Sequence, residues 1–241
     1  MLFYSSSAAL RDGDVVVLDG AEGRHAAVRR LRVGEAASVG DGRGLVASCV
    51  VTGSGAGGLS LAVTSRHEVA PADPSVTVIQ AIPKGDRGEL AVEEMTEVGV
   101  DTIVPWSAAR CVAVWGSRAD RGLERWRAKA RESAKQSLRP WIPEVPDPVS
   151  TASAAALIAG SSVAVVLAPL ASAAPLASVV PPSSGSIAVV IGPEGGITDD
   201  ELAAFEAAGA VACRLGPSVL RTSTAGAVAA AVLLSRTPRW H

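Results

Sequence analysis

The sequence predicts an α/β protein in two parts: a small N-terminal β-barrel, then a larger open sheet flanked by helices. Three observations carry this. Residues 2–68 break into short apolar runs separated by turn signals, Asp41-Gly42 and the glycine-rich stretch 53–58 among them, at the spacing of hairpin-connected strands. From Val76 on, short apolar runs are each followed by a tight loop and a segment of helical periodicity, the pattern of strand–loop–helix units. Between them Val69-Ala-Pro-Ala-Asp-Pro74 has two prolines and no periodicity, which marks a boundary. The expected domains are therefore 1–70 and 74–241.

In the first part the candidate strands are Asp14–Leu18, Ala36–Val39, Leu45–Val51 and Leu59–Thr64. One helix, Glu22–Leu31, interrupts them; it carries Arg24, His25, Arg29 and Arg30, with Arg32 just after and no acid between Arg24 and Arg32. Such a cluster is either a solvated basic face or a set of phosphate contacts.

The second part opens with a buried strand, Val76–Ile82, then the loop Lys84-Gly-Asp-Arg87 and a helix to about Val98. Ala91, Met95 and Val98 share one face of that helix, Glu89, Glu93, Glu94 and Glu97 are expected in water, and Gly99 suits the left-handed residue past its end. Thr102–Pro105 reads as a strand followed by Arg110, and Asp120–Leu138 as a long helix with a stripe of Leu123, Trp126, Ala130, Ala134 and Leu138. Between Arg118 and Arg139 eight basic residues face three acids, a local +5 in a chain of net charge −2. Pro140–Pro148 is an irregular crossing, Ser150–Gly160 a short helix, Val163–Leu167 a strand ending in Ala168-Pro169-Leu170, and Ala171–Ser186 a flexible connection.

The bulk numbers limit the rest. With 241 residues, 48% hydrophobic and only 19% charged, the chain is globular, with length enough for a core. Cys49, Cys111 and Cys213 are far apart and in no metal-ligand spacing, and His25, His67 and His241 do not cluster with them, so three reduced thiols and no metal site are expected. The N-terminus lacks a signal-peptide pattern, and no apolar run reaches the ~20 residues that span a bilayer. These features predict a soluble, cytoplasmic protein without a membrane partner.

Two loops near the C-terminus look built for one small ligand. Ile187–Ile191 is an apolar run followed by Gly192-Pro-Glu-Gly-Gly196, and Thr198 with Glu201 forms a capping box. Val211–Leu215 runs into Gly216-Pro217, and Ala225–Leu234 is an almost uncharged, hence buried, helix. Both loops fall at the carboxyl ends of strands, where open α/β sheets bind ligands. Arg221 stands between the second loop and its helix.

IGPEGG followed some twenty residues later by LG-x-x-x-LRT-x-TA resembles the RsmE-type enzymes, the 16S ribosomal RNA uridine-N3 methyltransferases of the SPOUT superfamily. Lys84–Val100, Glu132–Val145 and His25–Glu35 resemble the other blocks of that family, in the same order. The family's acidic residue is here Ser223, in LRTSTA. The resemblance implies a PUA-like RNA-binding barrel, a SPOUT methyltransferase domain with a C-terminal trefoil knot, S-adenosylmethionine as cofactor, 16S ribosomal RNA of the small ribosomal subunit as substrate, and a homodimer.

On that footing the cofactor is expected against Leu167, Ile191, Gly192, Pro193, Glu194, Gly195, Gly196, Leu215, Leu220, Arg221 and Thr222. RNA is expected on Arg24, His25, Arg29, Arg30, Arg32, Lys84, Arg87, Arg110, Gln136 and Arg139. Arg221 cannot act as a base, since a guanidinium keeps its proton, but it can stabilise charge developing on the uracil carbonyls. Glu194 is either the base or a brace for its own loop. The competing readings are a related SPOUT RNA methyltransferase with another target, and a non-catalytic ribosome assembly factor that lost activity with the acid at position 223.

Overall fold

The computed structural model describes residues 2–55, 58–112, 115, 119–169 and 172–241, and divides the chain into two compact units. The first comprises residues up to Pro71 together with Ala134–Ile142; the second comprises Ala72–Ser133 and Pro143–His241.

The first unit holds β1 (Leu2–Tyr4), α1 (Ser7–Asp12), β2 (Val15–Leu18), α2 (Gly20–Arg29), β3 (Ala36–Gly40), β4 (Leu45–Gly55) and β5 (Gly58–Glu68). The strands form one sheet in the order β1-β3-β4-β5-β2, with β1 parallel to β3 and the other pairs antiparallel. Strict alternation on β2 sends Val16 and Leu18 into the core and leaves Val15 and Val17 outside. They join Phe3, Leu10, Val39 and Leu61 in a dry cluster.

Besides the added strand β1, two features of this unit depart from the expected one. Helix α1 is additional: Ser6 caps it by accepting the Ala9 N–H at 3.3 Å, and Leu10 is its one buried residue, too little to show a periodicity. The second is the membership of 134–142. The Tyr4 hydroxyl donates to the Arg139 carbonyl at 2.6 Å, Trp141 Nε1 donates to the Val69 carbonyl at 2.8 Å, and Lys135 Nζ lies 2.6 Å from Glu22 Oε1 with both side chains largely buried.

The second unit contains β6 (Ser75–Ala81), α3 (Arg87–Val98), β7 (Thr102–Trp106), α4 (Ala119–Gln136, except its last turn), α5 (Thr151–Ala159), β8 (Val163–Leu167), β9 (Ala174–Pro175), β10 (Ser186–Ile191), α6 (Asp199–Ala207), β11 (Val211–Arg214) and α7 (Thr222–Leu234). Its sheet is wholly parallel, in the order β7-β6-β10-β8-β11-β9. Pro105 is tolerated because β7 lies at the edge. Ile79, Val104, Val166 and Val190 on one side of the sheet pack with Trp106, Ile158 and Phe205, while α3 and α7 pack against each other. Burial on both faces explains why β6, β8 and β10 read as unbroken apolar runs.

Three expectations change here. Leu138 leaves the α4 stripe: the helix ends at Gln136, Leu138 takes φ 59°, and its side chain is 61% exposed, whereas Leu123, Trp126, Ala130 and Ala134 are buried. Glu89 is not in water but pairs with Arg125 at 3.0 Å, and Lys129 bridges Glu93 at 3.4 Å and Glu132 at 3.1 Å. Two basic residues of α4, Arg125 and Lys129, are thus answered by α3 acids. The stretch expected to be a flexible connection carries β9 and a 3-10 turn, Leu176–Ser178, held by Arg236 donating to the Ala177 carbonyl at 2.8 Å. Gly99 takes φ 111° past the end of α3, as its position demands. Among the described residues no helix is long and apolar enough to cross a membrane, and no cysteine forms a disulfide.

Candidate active site

In the parallel sheet β8, β10 and β11 are neighbours, so the loops leaving their carboxyl ends converge. Together they enclose a cavity of about 920 Å³. From the first loop come Leu167, Ala168 and Pro169; the next residue, Leu170, lies outside the described ones. From the second come Ile191, Gly192, Pro193, Glu194, Gly196 and Ile197, and from the third Leu215 to Thr222. Arg87, the first residue of α3, and Arg110, in the loop after β7, add to the wall.

Each wall is fixed by its local sequence. After β10 the capping box closes: Thr198 Oγ1 accepts the Glu201 N–H at 3.2 Å, and Glu201 Oε2 accepts the Thr198 N–H at 2.9 Å. Glu201, only 5% exposed, spends its other oxygen on the Ala109 N–H at 2.7 Å. That bond ties the segment after β7 to the start of α6. Arg110, one residue further, donates to the Gly195 carbonyl at 3.3 Å. Gly195 lies so close that an added Cβ would stand 3.0 Å from Arg110 Cβ and 3.1 Å from its carbonyl oxygen. Gly196, at φ 77°, turns the chain on towards α6.

Nearly all the expected cofactor residues line this one cavity: Leu167, Ile191, Gly192, Pro193, Glu194, Gly196, Leu215, Leu220, Arg221 and Thr222. Gly195 does not; its missing side chain makes room for Arg110 instead. Thr222 contributes its surface but not a free hydroxyl. Its Oγ1 donates to the Gly192 carbonyl at 2.7 Å and accepts from Gln80 Nε2 at 3.1 Å. Glu194 is exposed, and its Oε1 accepts the Lys84 N–H at 3.2 Å, the contact of a brace; Oε2 has no hydrogen bond among the described residues.

Arg221 is the N-cap residue of α7, where its carbonyl accepts the Thr224 and Ala225 N–H groups at 3.0 Å. Its exposed guanidinium makes no hydrogen bond or ion pair among the described residues, and the same holds for Arg87. With Arg110 and Arg214, four arginines line the cavity against two carboxylates, Glu194 and Asp199, so the field inside favours negative charge. Cys213 forms part of the wall, and burial pushes its thiol up from the usual range. At neutral pH it is the protonated, poorly nucleophilic form.

Of the expected RNA contacts, Arg87 and Arg110 reach the cavity, and Lys84 is exposed beside Glu194. Arg24, Arg30, Arg32, Gln136 and Arg139 belong to the first unit; all but the half-buried Arg139 are exposed. The side chains of His25 and Arg29 lie outside the described ones. Among the described residues no group of three or more His, Cys, Asp or Glu is placed to hold a metal ion. Gln80, Ile197, Asp199, Leu202 and Cys213 were absent from the expected site; only Gln80, a lone amide in an apolar strand, gave a sequence signal.

An RNA methyltransferase domain family matches residues 71–234, and an RNA methyltransferase PUA domain family matches residues 18–64. The ribosomal RNA small subunit methyltransferases E of Mycobacterium bovis and Mycobacterium tuberculosis are each 49% identical over 246 residues, covering 100% of this chain and 93% of theirs. The crystal structure of a ribosomal RNA small subunit methyltransferase E from Neisseria gonorrhoeae, bound to S-adenosyl methionine, superposes with a TM-score of 0.85 at 29% identity, over 97% of this chain and 96% of that one. An N-terminal PUA-like unit and a SPOUT-type α/β unit are thus the architecture of this chain. Fold, cavity and sequence converge, and the chain belongs to the ribosomal RNA small subunit methyltransferase E family of RNA methyltransferases.

Proposed function

We propose that this protein transfers a methyl group from S-adenosylmethionine to N3 of a uridine in 16S ribosomal RNA of the small subunit. The observation that carries the reading is Arg221, an unpaired guanidinium among the described residues, on the wall of a cavity where arginines outnumber carboxylates four to two. The residues present fit the cofactor. Leu167, Ile191, Leu215 and Leu220 would hold its apolar parts, and the backbone groups of residues 192–196 and 215–220 its polar edges. When bound, the cofactor supplies a methyl carbon activated by a sulfonium.

Uridine N3 carries a proton and is a poor nucleophile until it is lost. Arg221 stabilises the charge then gained by the uracil carbonyls, in a site held rigid before the reaction. Glu194 is the candidate base in this reading: Oε1 accepts the Lys84 N–H of a neighbouring loop, and Oε2, without a hydrogen bond among the described residues, would take the proton. The protonated Cys213 thiol does not compete for the methyl group.

The RNA backbone is met by Lys84, Arg87 and Arg110 beside the cavity and by Arg24, His25, Arg29, Arg30, Arg32, Gln136 and Arg139 of the first unit. These are phosphate contacts that position rather than specify. A homodimer belongs to the same reading: Val228, Ala231 and Val232 stay half-exposed on an otherwise buried apolar helix, as a second copy would require. A C-terminal knot belongs to the same reading, as the family resemblance implies. An assembly factor that lost catalysis at position 223 is disfavoured, because Ser223 is 2% exposed and lies off the cavity wall.

The test is methylation of small-subunit ribosomal RNA by the purified protein with labelled S-adenosylmethionine, the product mapped by mass spectrometry. Arg221→Ala should lower kcat by roughly 10²–10³-fold. Methyl groups on a ribose hydroxyl or another base, or an unchanged kcat in the variant, would overturn the assignment.

A further inference from the structure

Gln80 is fully buried at the carboxyl end of β6, in register with Ile191 of β10 and Pro105 of β7. An amide among apolar neighbours is costly unless its groups are paired, and half of this one is not: Oε1 is buried without a hydrogen bond among the described residues. A methionine or leucine would fill the position without that orphan. The Nε2 end is where the amide is used. It donates to the Ala81 carbonyl at 3.0 Å and to Thr222 Oγ1 at 3.1 Å.

The direction of every bond in this chain is forced. The Gly192 carbonyl can only accept, so the single hydrogen of Thr222 Oγ1 points to it across 2.7 Å. Thr222 must then receive, and Gln80 Nε2 is the donor. The Ala81 carbonyl, which also only accepts, fixes the same orientation of the amide from the other side. Pro193 follows Gly192, so that peptide carries an acceptor and no N–H, and the Thr222 hydroxyl is the donor found on it. Gly226 of α7 faces the idle Oε1 without offering it a donor: an added Cβ would stand 3.4 Å from it, in ordinary contact.

We propose that Gln80 is a positioning residue for the cofactor cavity. By dictating which way the Thr222 hydroxyl points, it sets the orientation of the Gly192–Pro193 peptide and anchors the first turn of α7, which carries Arg221. It does so without lining the cavity itself. The inference rests on the reading of that cavity as the S-adenosylmethionine site.

The test separates position from stability. Gln80→Met keeps length and removes the orphan oxygen together with the two Nε2 bonds, effects of opposite sign, so its melting temperature should stay close to that of the wild type. Its S-adenosylmethionine Kd by calorimetry, and its KM, should rise about tenfold, the equivalent of one net hydrogen bond, with kcat changed less. Thr222→Val should show the same loss, and the double variant should be no worse than either single one, because one relay is broken once. A Gln80→Met protein with wild-type Kd, or losses that multiply in the double variant, would overturn the proposal. Should Gln80→Met not fold, Thr222→Val alone decides: an unchanged Kd refutes the relay. Failure of the wild type to bind the cofactor would instead refute the reading of the cavity.

Discussion

Replacing Glu201 by alanine removes three bonds at once: to Ala109 N–H at 2.7 Å, to Thr198 N–H at 2.9 Å and to Thr198 Oγ1 at 3.0 Å. Loss of the reciprocal half of a capping box costs about 1 kcal/mol. The bond to Ala109 is charge-assisted and joins residues 92 apart, so its loss costs about 2 kcal/mol. The sum, about 3 kcal/mol, corresponds to a fall of roughly 6–12 °C in melting temperature for a chain of this size. Glu201→Gln keeps one acceptor but offers an N–H to the Thr198 N–H, and should fall about halfway. The assay is urea denaturation followed by tryptophan fluorescence, with Kd for S-adenosylmethionine measured on the same samples. Affinity should weaken with stability, since the Ala109 bond also places Arg110 against Gly195. A stability loss below about 0.5 kcal/mol, the scale of a neutral surface change, would refute the claim that this carboxylate couples the two loops.

Gly226→Ala puts a Cβ 2.7 Å from Met95 Sδ where α7 meets α3, and should cost about 1–3 kcal/mol in denaturant titrations. Arg239 donates to Asp101 Oδ2 at 2.6 Å and to the Pro74 and Gly99 carbonyls at 3.0 and 2.8 Å, in a largely buried cluster. Arg239→Ala should destabilise by about 2 kcal/mol, and a melting temperature unchanged by it would show that the C-terminal contact carries no weight. Burial, and then the neighbouring Glu93 and Glu97, push the Glu94 carboxyl up. Its folded value lies above its unfolded one, so its contribution is full below the unfolded range and is lost as pH rises through the folded value. Glu94→Gln should therefore raise the melting temperature at pH 7 and give no gain near pH 4; an equal gain at both would assign the effect to something other than charge.

The sequence by itself determined most of the larger elements and pointed to the loops that line the cavity. Strands buried on both faces cannot hide their composition, so Val76–Ile82, Val163–Leu167 and Ile187–Ile191 were legible as runs. Caps and loops are local chemistry as well: Thr198 and Glu201 are three residues apart, and glycine and proline announce the turns on which Leu167, Gly192 and Arg221 converge. What the tertiary structure alone decided is where polar groups far apart in the chain find each other. Gln80 meets Thr222 across 142 residues, and Glu201 gives its second oxygen to Ala109 across 92. The basic residues of α4 showed in the sequence only as a local excess of +5, and the pairing of Arg125 and Lys129 with Glu89 and Glu93 of α3 came from the structure. Hydrogen bonds and ion pairs depend on distance and direction between specific atoms, and no periodicity along one segment encodes them. Hydrophobic burial is non-directional and leaves its pattern on each segment separately, which is why the fold could be read in advance and the wiring of its site could not.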